Sequence, residues 1–255
     1  MSDTIATNLS ETCYGKVRDT HYDMAILPWG AIEPHNLHLP YLTDSILSQK
    51  ISVEAAKKAY ADGGAKVMVL PAVDGGSQNQ GQHTLPFCIH YRYETQKSIL
   101  TDTVDALHRQ GIRKLLIING HGGNSFKNMI RDLAIDKPDF LIAATEWYTV
   151  EKASEYFETK IDDHAAETET SVMMYYYPEK VNKAEAGSGE VIGKFKIESL
   201  NQKVAWTPRH WDKTSTDTGV GDPSRATAEK GRRFADTIVA KLSRLLIEMS
   251  QNDLY

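Results

Sequence analysis

At 255 residues, with 41% hydrophobic and 25% charged side chains, the chain is long enough to bury one sizeable core and too ordinary in composition to be disordered or fibrous. Its net charge of -5 offers no basic footprint for a nucleic-acid backbone or an anionic membrane surface, so neither partner is expected. The two cysteines, Cys13 and Cys88, exclude a disulfide framework and a four-cysteine zinc site. Residues Met1 to Asn8 carry no basic and then apolar leader pattern. No apolar run approaches the roughly 18 to 20 residues that span a bilayer, and a reducing cytoplasm is the expected location.

In chain order, short apolar runs alternate with longer amphipathic ones. Met24 to Pro28, Lys66 to Pro71, Lys114 to Asn119 and Phe140 to Thr145 predict buried strands. Helical spacing is expected over Ser45 to Ala61, ending at Asp62-Gly63-Gly64, over Glu94 to Gln110 before Gly111, and over Phe126 to Asp136 before Lys137-Pro138. This βαβ rhythm requires crossovers, and therefore an α/β fold with a mainly parallel sheet covered by helices on both faces. Ligands then belong at the carboxyl ends of the strands. Glu185 to Pro223 is rich in Gly, Ser, Thr and Pro and predicts a loop with short strands that shapes or covers a site, whereas about Ser224 to Met249 predicts a final packing helix. One domain over residues 1–255 is expected.

Three clusters carry chemistry. In Gly30 to Asp44, Glu33 and His35 are two residues apart, so an extended chain points both to one side. Asp44 precedes a helical pattern and, taken alone, reads first as an N-cap, with a ligand role as the other reading. Asn119-Gly-His-Gly-Gly-Asn124 leaves the most apolar strand and enters a helix. Its glycines give room around His121, which is either a ligand or part of a tight turn. The stretch matches neither G-x-G-x-x-G nor the P-loop spacing. In Asp162 to Ser171, a helix would place His164, Glu167 and Ser171 on one face and turn Glu169 away; a solvated acidic helix start is the alternative. Together Glu33, His35, Asp44, His121 and Glu167 supply two imidazoles and three carboxylates, a donor set suited to Zn, Mn or Fe(II). Such a set can hold about two divalent ions if one carboxylate bridges, and a pair of this kind activates water while polarising a carbonyl.

These residues resemble the creatininase (creatinine amidohydrolase) family. The resemblance rests on Leu27 to Pro40 with Thr43-Asp44, on Asn119 to Asn124, on His164-Ala-Ala-Glu-Thr-Glu-Thr-Ser171 and on Gly219-Val-Gly-Asp-Pro223, in the family's order. It implies a three-layer α/β/α sandwich, a binuclear metal centre with Asp44 bridging, hydrolysis of carbon–nitrogen amide bonds in a small substrate, and a homo-oligomer, commonly a hexamer. Pro34, Asn36 and Ala166 replace residues usual in the family. Gly122-Gly123 stands where creatinine-cleaving members have Tyr and Glu, and is similar to the branch with formamide and peptide hydrolases.

The mechanism expected is attack of metal-activated hydroxide on an amide carbonyl. His164 and Glu169 are the candidates for proton transfer to the leaving nitrogen, with His164 alternatively orienting a ligand. His38, Ser77, His83, Gly122 and Asn124 are expected to face substrate or support the ligands, and Gln78 is a further candidate pocket residue. His90, His108 and His210 have no such context. A family member that binds metal or ligand without turnover is the nonenzymatic alternative. A serine or cysteine hydrolase lacks the G-x-S-x-G elbow and an activating context for either thiol.

Overall fold

The computed structural model describes residues 5–255. Met1 to Thr4, which entered the leader and one-domain readings, lie outside the described residues. Four strands, β1 (Met24–Trp29), β2 (Val67–Val69), β3 (Lys114–Asn119) and β4 (Leu141–Glu146), form one sheet in the order β2-β1-β3-β4. All three pairings are parallel, with Met24 opposite Val67, Ala25 opposite Leu115 and Lys114 opposite Leu141. Among the described residues seven α-helices accompany it: α1 (Tyr14–Val17), α2 (Thr43–Gly63), α3 (Tyr93–Arg109), α4 (Lys127–Asp136), α5 (Glu167–Tyr176), α6 (Glu198–Asn201) and α7 (Ala228–Gln251).

Alternation along β1 explains why the strand sequences are apolar throughout. Met24 and Ile26 face one core with Leu47 and Ile51 of α2, Val172 of α5 and Phe234, Ile238 and Leu242 of α7. Ala25, Leu27 and Trp29 face a second core with Leu100 and Val104 of α3 and Met129 and Leu133 of α4. Helices therefore cover both faces, which gives the expected three layers. Pro28 is tolerated in an inner strand because β2 has ended by Val69 where its missing N–H would point; Pro28 O instead accepts from Val73 N at 3.0 Å.

Three expectations change. The second strand is shorter than Lys66 to Pro71, since the chain diverges after Val69. Between Glu185 and Pro223 the short strands give way, among the described residues, to α6, a 3-10 turn at Trp211–Lys213 and a single bridge between His164 and Val220. The final helix begins only at Ala228, where the Thr227 side chain caps it by accepting from Lys230 N. No helix among the described residues is long and apolar enough to cross a membrane.

The carboxyl ends of β1 and β3 close tightly on the first turn of α2. A Cβ on Gly120 would lie 2.6 Å from Asp44 O and 2.5 Å from Ser48 Oγ. Gly120→Ala is therefore expected to destabilise the protein by about 1–3 kcal/mol, the usual cost of overpacking. Urea unfolding checks this, and an unchanged midpoint would show that the helix start yields freely.

Candidate metal centre

Glu33, His35 and Asp44 are 1%, 0% and 2% exposed, so their polar groups must be compensated within the protein. The loop after β1 supplies Glu33 and His35, the first turn of α2 supplies Asp44, the turn after β3 supplies His121, and the approach to α5 supplies His164. His35 Nε2 lies 3.0 Å from Asp44 Oδ1 and 3.9 Å from both Glu33 Oε1 and Glu169 Oε1. His121 Nδ1 lies 3.0 Å from Glu33 Oε1 and 3.3 Å from Asp44 Oδ2, while His164 Nδ1 is 3.6 Å from Glu33 Oε1. Glu33, Asp44 and His121 form one trio with donor atoms within 4.8 Å of each other, and His35, Asp44 and Glu169 form another. Asp44 belongs to both trios. A third trio joins Glu33, His35 and His164.

Asp44 is not a helix cap. The N-cap position of α2 is Leu42, no side chain caps it, and Asp44 sits inside the first turn. Glu167 and Glu169 exchange their expected places. Glu167 turns away from the cluster: its Oε2 accepts from Glu158 N at 2.9 Å and Thr159 N at 2.8 Å, and its Oε1 from Lys230 Nζ at 2.6 Å. These contacts hold its carboxyl below the usual range despite the opposing effect of burial. The physical reason is that His164 does not share the helix. Ala165 takes φ +50, the helix begins at Glu167, and the i, i+3 relation between His164 and Glu167 never forms. Glu169 instead reaches back to Ala165 N at 2.6 Å through Oε2, leaving Oε1 facing His35.

The imidazoles fit a cation. His35 Nδ1 lies 3.0 Å from Glu33 O, His121 Nε2 2.6 Å from Ser77 O and His164 Nε2 3.0 Å from Pro34 O. Carbonyls only accept, so each of these nitrogens carries the proton. In each neutral ring the other nitrogen then presents a lone pair to carboxyl oxygens, which once ionised have no proton to give. Asp44 Oδ2, buried beside His121, receives no hydrogen bond. Lone pairs converging on one another with no donor between them are the arrangement that divalent ions neutralise. Without a cation, burial would lower the His35 pKa, but the charge and hydrogen bond of Asp44, with Glu169 and Glu33, push it up to about 10. Burial, followed by the charges of Asp44 and Glu33 and opposed by His35, pushes Glu169 up to about 8. Burial and His35 lower the pKa of His164.

The remaining sequence candidates divide. Gly122 lines a cavity of about 150 Å³ together with Glu33, Asp44, His121, Tyr148, Asp163, His164 and Glu169. Ser77 acts through its carbonyl on His121, and Asn124 ties Gly30 O, Asn119 Oδ1 and Ser77 N together behind the cluster. His38 Nε2 lies 2.8 Å from Thr170 Oγ1, and burial pushes its pKa down to about 4. His83 is exposed, with Nδ1 3.3 Å from Asn79 O, and is not among the cavity residues. Gln78 is not among them either; its N–H donates to His90 Nδ1 at 2.9 Å. Sequence reasoning missed Gln82, buried, whose Nε2 donates to Glu33 Oε2, and Tyr148. Gln82 gave no signal beyond its polar loop, but Tyr148 stands just past the carboxyl end of a parallel strand, where ligands bind.

A family model described as creatinine amidohydrolase matches residues 9–246. A candidate creatinine amidohydrolase from Bacteroides fragilis NCTC 9343 has 60% identity and a TM-score of 0.97, covering 98% of this chain and 99% of that one. The mycofactocin precursor peptide peptidase of Mycobacterium tuberculosis is 26% identical over 89% of this chain and 86% of its own length. Creatininase in a Zn–Zn form, carrying a glutamate-to-glutamine substitution, shares the fold with a TM-score of 0.77 at 20% identity, over 97% and 99% of the two chains. A manganese form has a TM-score of 0.78 at 19% identity, over 97% and 100%.

Proposed function

The chain belongs to the creatininase family, and from that premise we propose that it is a metal-dependent amidohydrolase acting on a carbon–nitrogen bond of a small amide. Glu33, Asp44 and His121 would hold one divalent ion and His35, Asp44 and Glu169 the other, with Asp44 shared. The observation that carries this reading is the set of imidazoles pinned by backbone carbonyls with their lone pairs aimed at carboxylates. Zinc and manganese suit the mixed imidazole and carboxylate donors, and both are found in solved creatininases. Bound there, such ions supply Lewis acidity that polarises an amide carbonyl and brings the pKa of water toward neutrality.

The chain's own groups do the rest. Gln82 fixes Glu33, Ala165 N fixes Glu169, and Ser77 and Pro34 fix the rings of His121 and His164. His164 keeps Nδ1 unprotonated at the edge of the cavity, where it can hold a proton and return it to a leaving nitrogen. Gly122-Gly123, in place of bulky residues, and the peptide-cleaving relative support a linear formamide or short peptide over creatinine. The cavity of about 150 Å³ beside the cluster has room for a small acyl group.

The reading includes one domain and a cytoplasmic homo-oligomer, of which a hexamer is the family form. Exposed Leu37, Phe87 and Ile89 support an interface, and light scattering tests it.

Exhaustive chelation is expected to abolish hydrolysis, and reloading with Mn or Zn to restore it, on a panel of creatinine, N-formyl amines and short peptides. Activity that survives full metal removal would sink the proposal. Metal uptake without turnover of any amide would favour a binding protein of the same family.

A further inference from the structure

Tyr148 lies two residues past β4, in the 3-10 turn Trp147–Thr149. Trp147 anchors that turn. It is wholly buried and packs edge-on against Phe234 of α7, with ring centroids 6.4 Å apart, and against the Tyr148 ring at 5.7 Å. The phenol is thereby held over the cavity that Glu33, Asp44, His121 and Glu169 also line. Across from it, Gly122 leaves space: a Cβ there would meet only the Tyr148 hydroxyl, at 3.3 Å. Among the described residues that hydroxyl has no hydrogen-bond partner.

A phenol in this position is a donor. Burial raises its pKa, as do the charges of Glu146, Glu169 and Asp44, so the proton stays on oxygen throughout the neutral range. Of the other polar groups facing the cavity, Glu33, Asp44 and Glu169 are acceptors once a cation keeps them ionised, His121 and His164 have spent their N–H groups on backbone carbonyls, and Asp163 is paired with Arg209 at 2.6 Å. Thr168 Oγ1 donates to Asp162. The Tyr148 hydroxyl is thus the uncommitted side-chain donor of the cavity wall.

We propose that Tyr148 is a catalytic residue that donates a hydrogen bond to the acyl oxygen of the substrate, in the space left open by Gly122. When water adds to the carbonyl carbon and gives up one proton to His164 Nδ1, the C=O π bond breaks and its electron pair becomes negative charge on that oxygen. A fixed donor aimed there is worth more in the transition state than in the ground state. This role for Tyr148 rests on the amidohydrolase reading above.

The test uses acetohydroxamate, a small carbonyl-bearing chelator, titrated calorimetrically into the zinc- or manganese-loaded protein. Tyr148→Phe is expected to retain metal content and unfolding temperature while binding the probe about tenfold more weakly, the scale of one lost hydrogen bond to a charged group. Binding within twofold of wild type would overturn the role of Tyr148 while leaving the metal centre standing. Loaded wild type that fails to bind the probe would also overturn it. Wild type that takes up no metal would defeat the amidohydrolase reading itself, and this inference with it.

Discussion

Asp44→Ala is expected to cost the protein both divalent ions, not one. Its Oδ1 faces His35 and its Oδ2 faces His121, and it is the member common to the Glu33–Asp44–His121 and His35–Asp44–Glu169 trios. Glu33, His121, His35 and Glu169 each belong to a single one of those two trios. The fold should survive, because Asp44 caps nothing and α2 is held by Leu47 and Ile51 in the core. Two measurements check this. Elemental analysis after reconstitution should find little metal, where near-normal content would refute sharing. Zinc or manganese at a thousand times its dissociation constant should stabilise the wild type by about 4 kcal/mol and the variant by almost nothing, since a ligand stabilises only the state that binds it.

Glu169→Gln and Glu167→Gln should have opposite effects, although the two residues are one position from being neighbours. Glu169→Gln keeps an oxygen for Ala165 N but weakens one ion site. Metal content and activity should fall while the metal-free protein unfolds almost as before. Glu167→Gln should keep its metal and lose about 1–3 kcal/mol of stability. It removes a charged acceptor from Lys230 and two backbone N–H groups, and a hydrogen bond to a charged group is worth more than a neutral one. The sign of the pH dependence follows. The Glu167 carboxyl titrates lower in the folded protein than its ordinary value, so its contribution is present above the ordinary range and lost as pH falls through the lowered value. The stability gap between Glu167→Gln and wild type should therefore narrow in acid. Urea titrations from neutral to acidic pH, paired with metal analysis, separate the two variants; loss of metal in Glu167→Gln would reverse the assignment.

Much of the architecture was legible because strands buried on both faces must be apolar at every position, as in Leu115 to Ile118. Helix ends were legible where glycine takes a left-handed conformation, as at Gly64 with φ +73. That Glu33, His35, Asp44 and His121 come together was legible from motif and from their place at strand ends. What escaped depended on long-range packing. The exchange of Glu167 for Glu169 turns on the positive φ of Ala165, a conformation that alanine does not advertise. Gln82 reaches Glu33 across 49 positions of sequence, and local patterning carries no trace of such a contact.

The three imidazoles are aimed by the carbonyls of Glu33, Pro34 and Ser77, and a main-chain carbonyl survives any substitution of the residue that bears it. The orientation of the centre is thus insulated from mutational drift in a way that a carboxylate-oriented histidine is not. Gly122, Tyr148 and Asp163, which shape the cavity by their side chains or the lack of one, have no such insulation. Substrate range can then diverge within a lineage while the chemistry at its heart stays fixed.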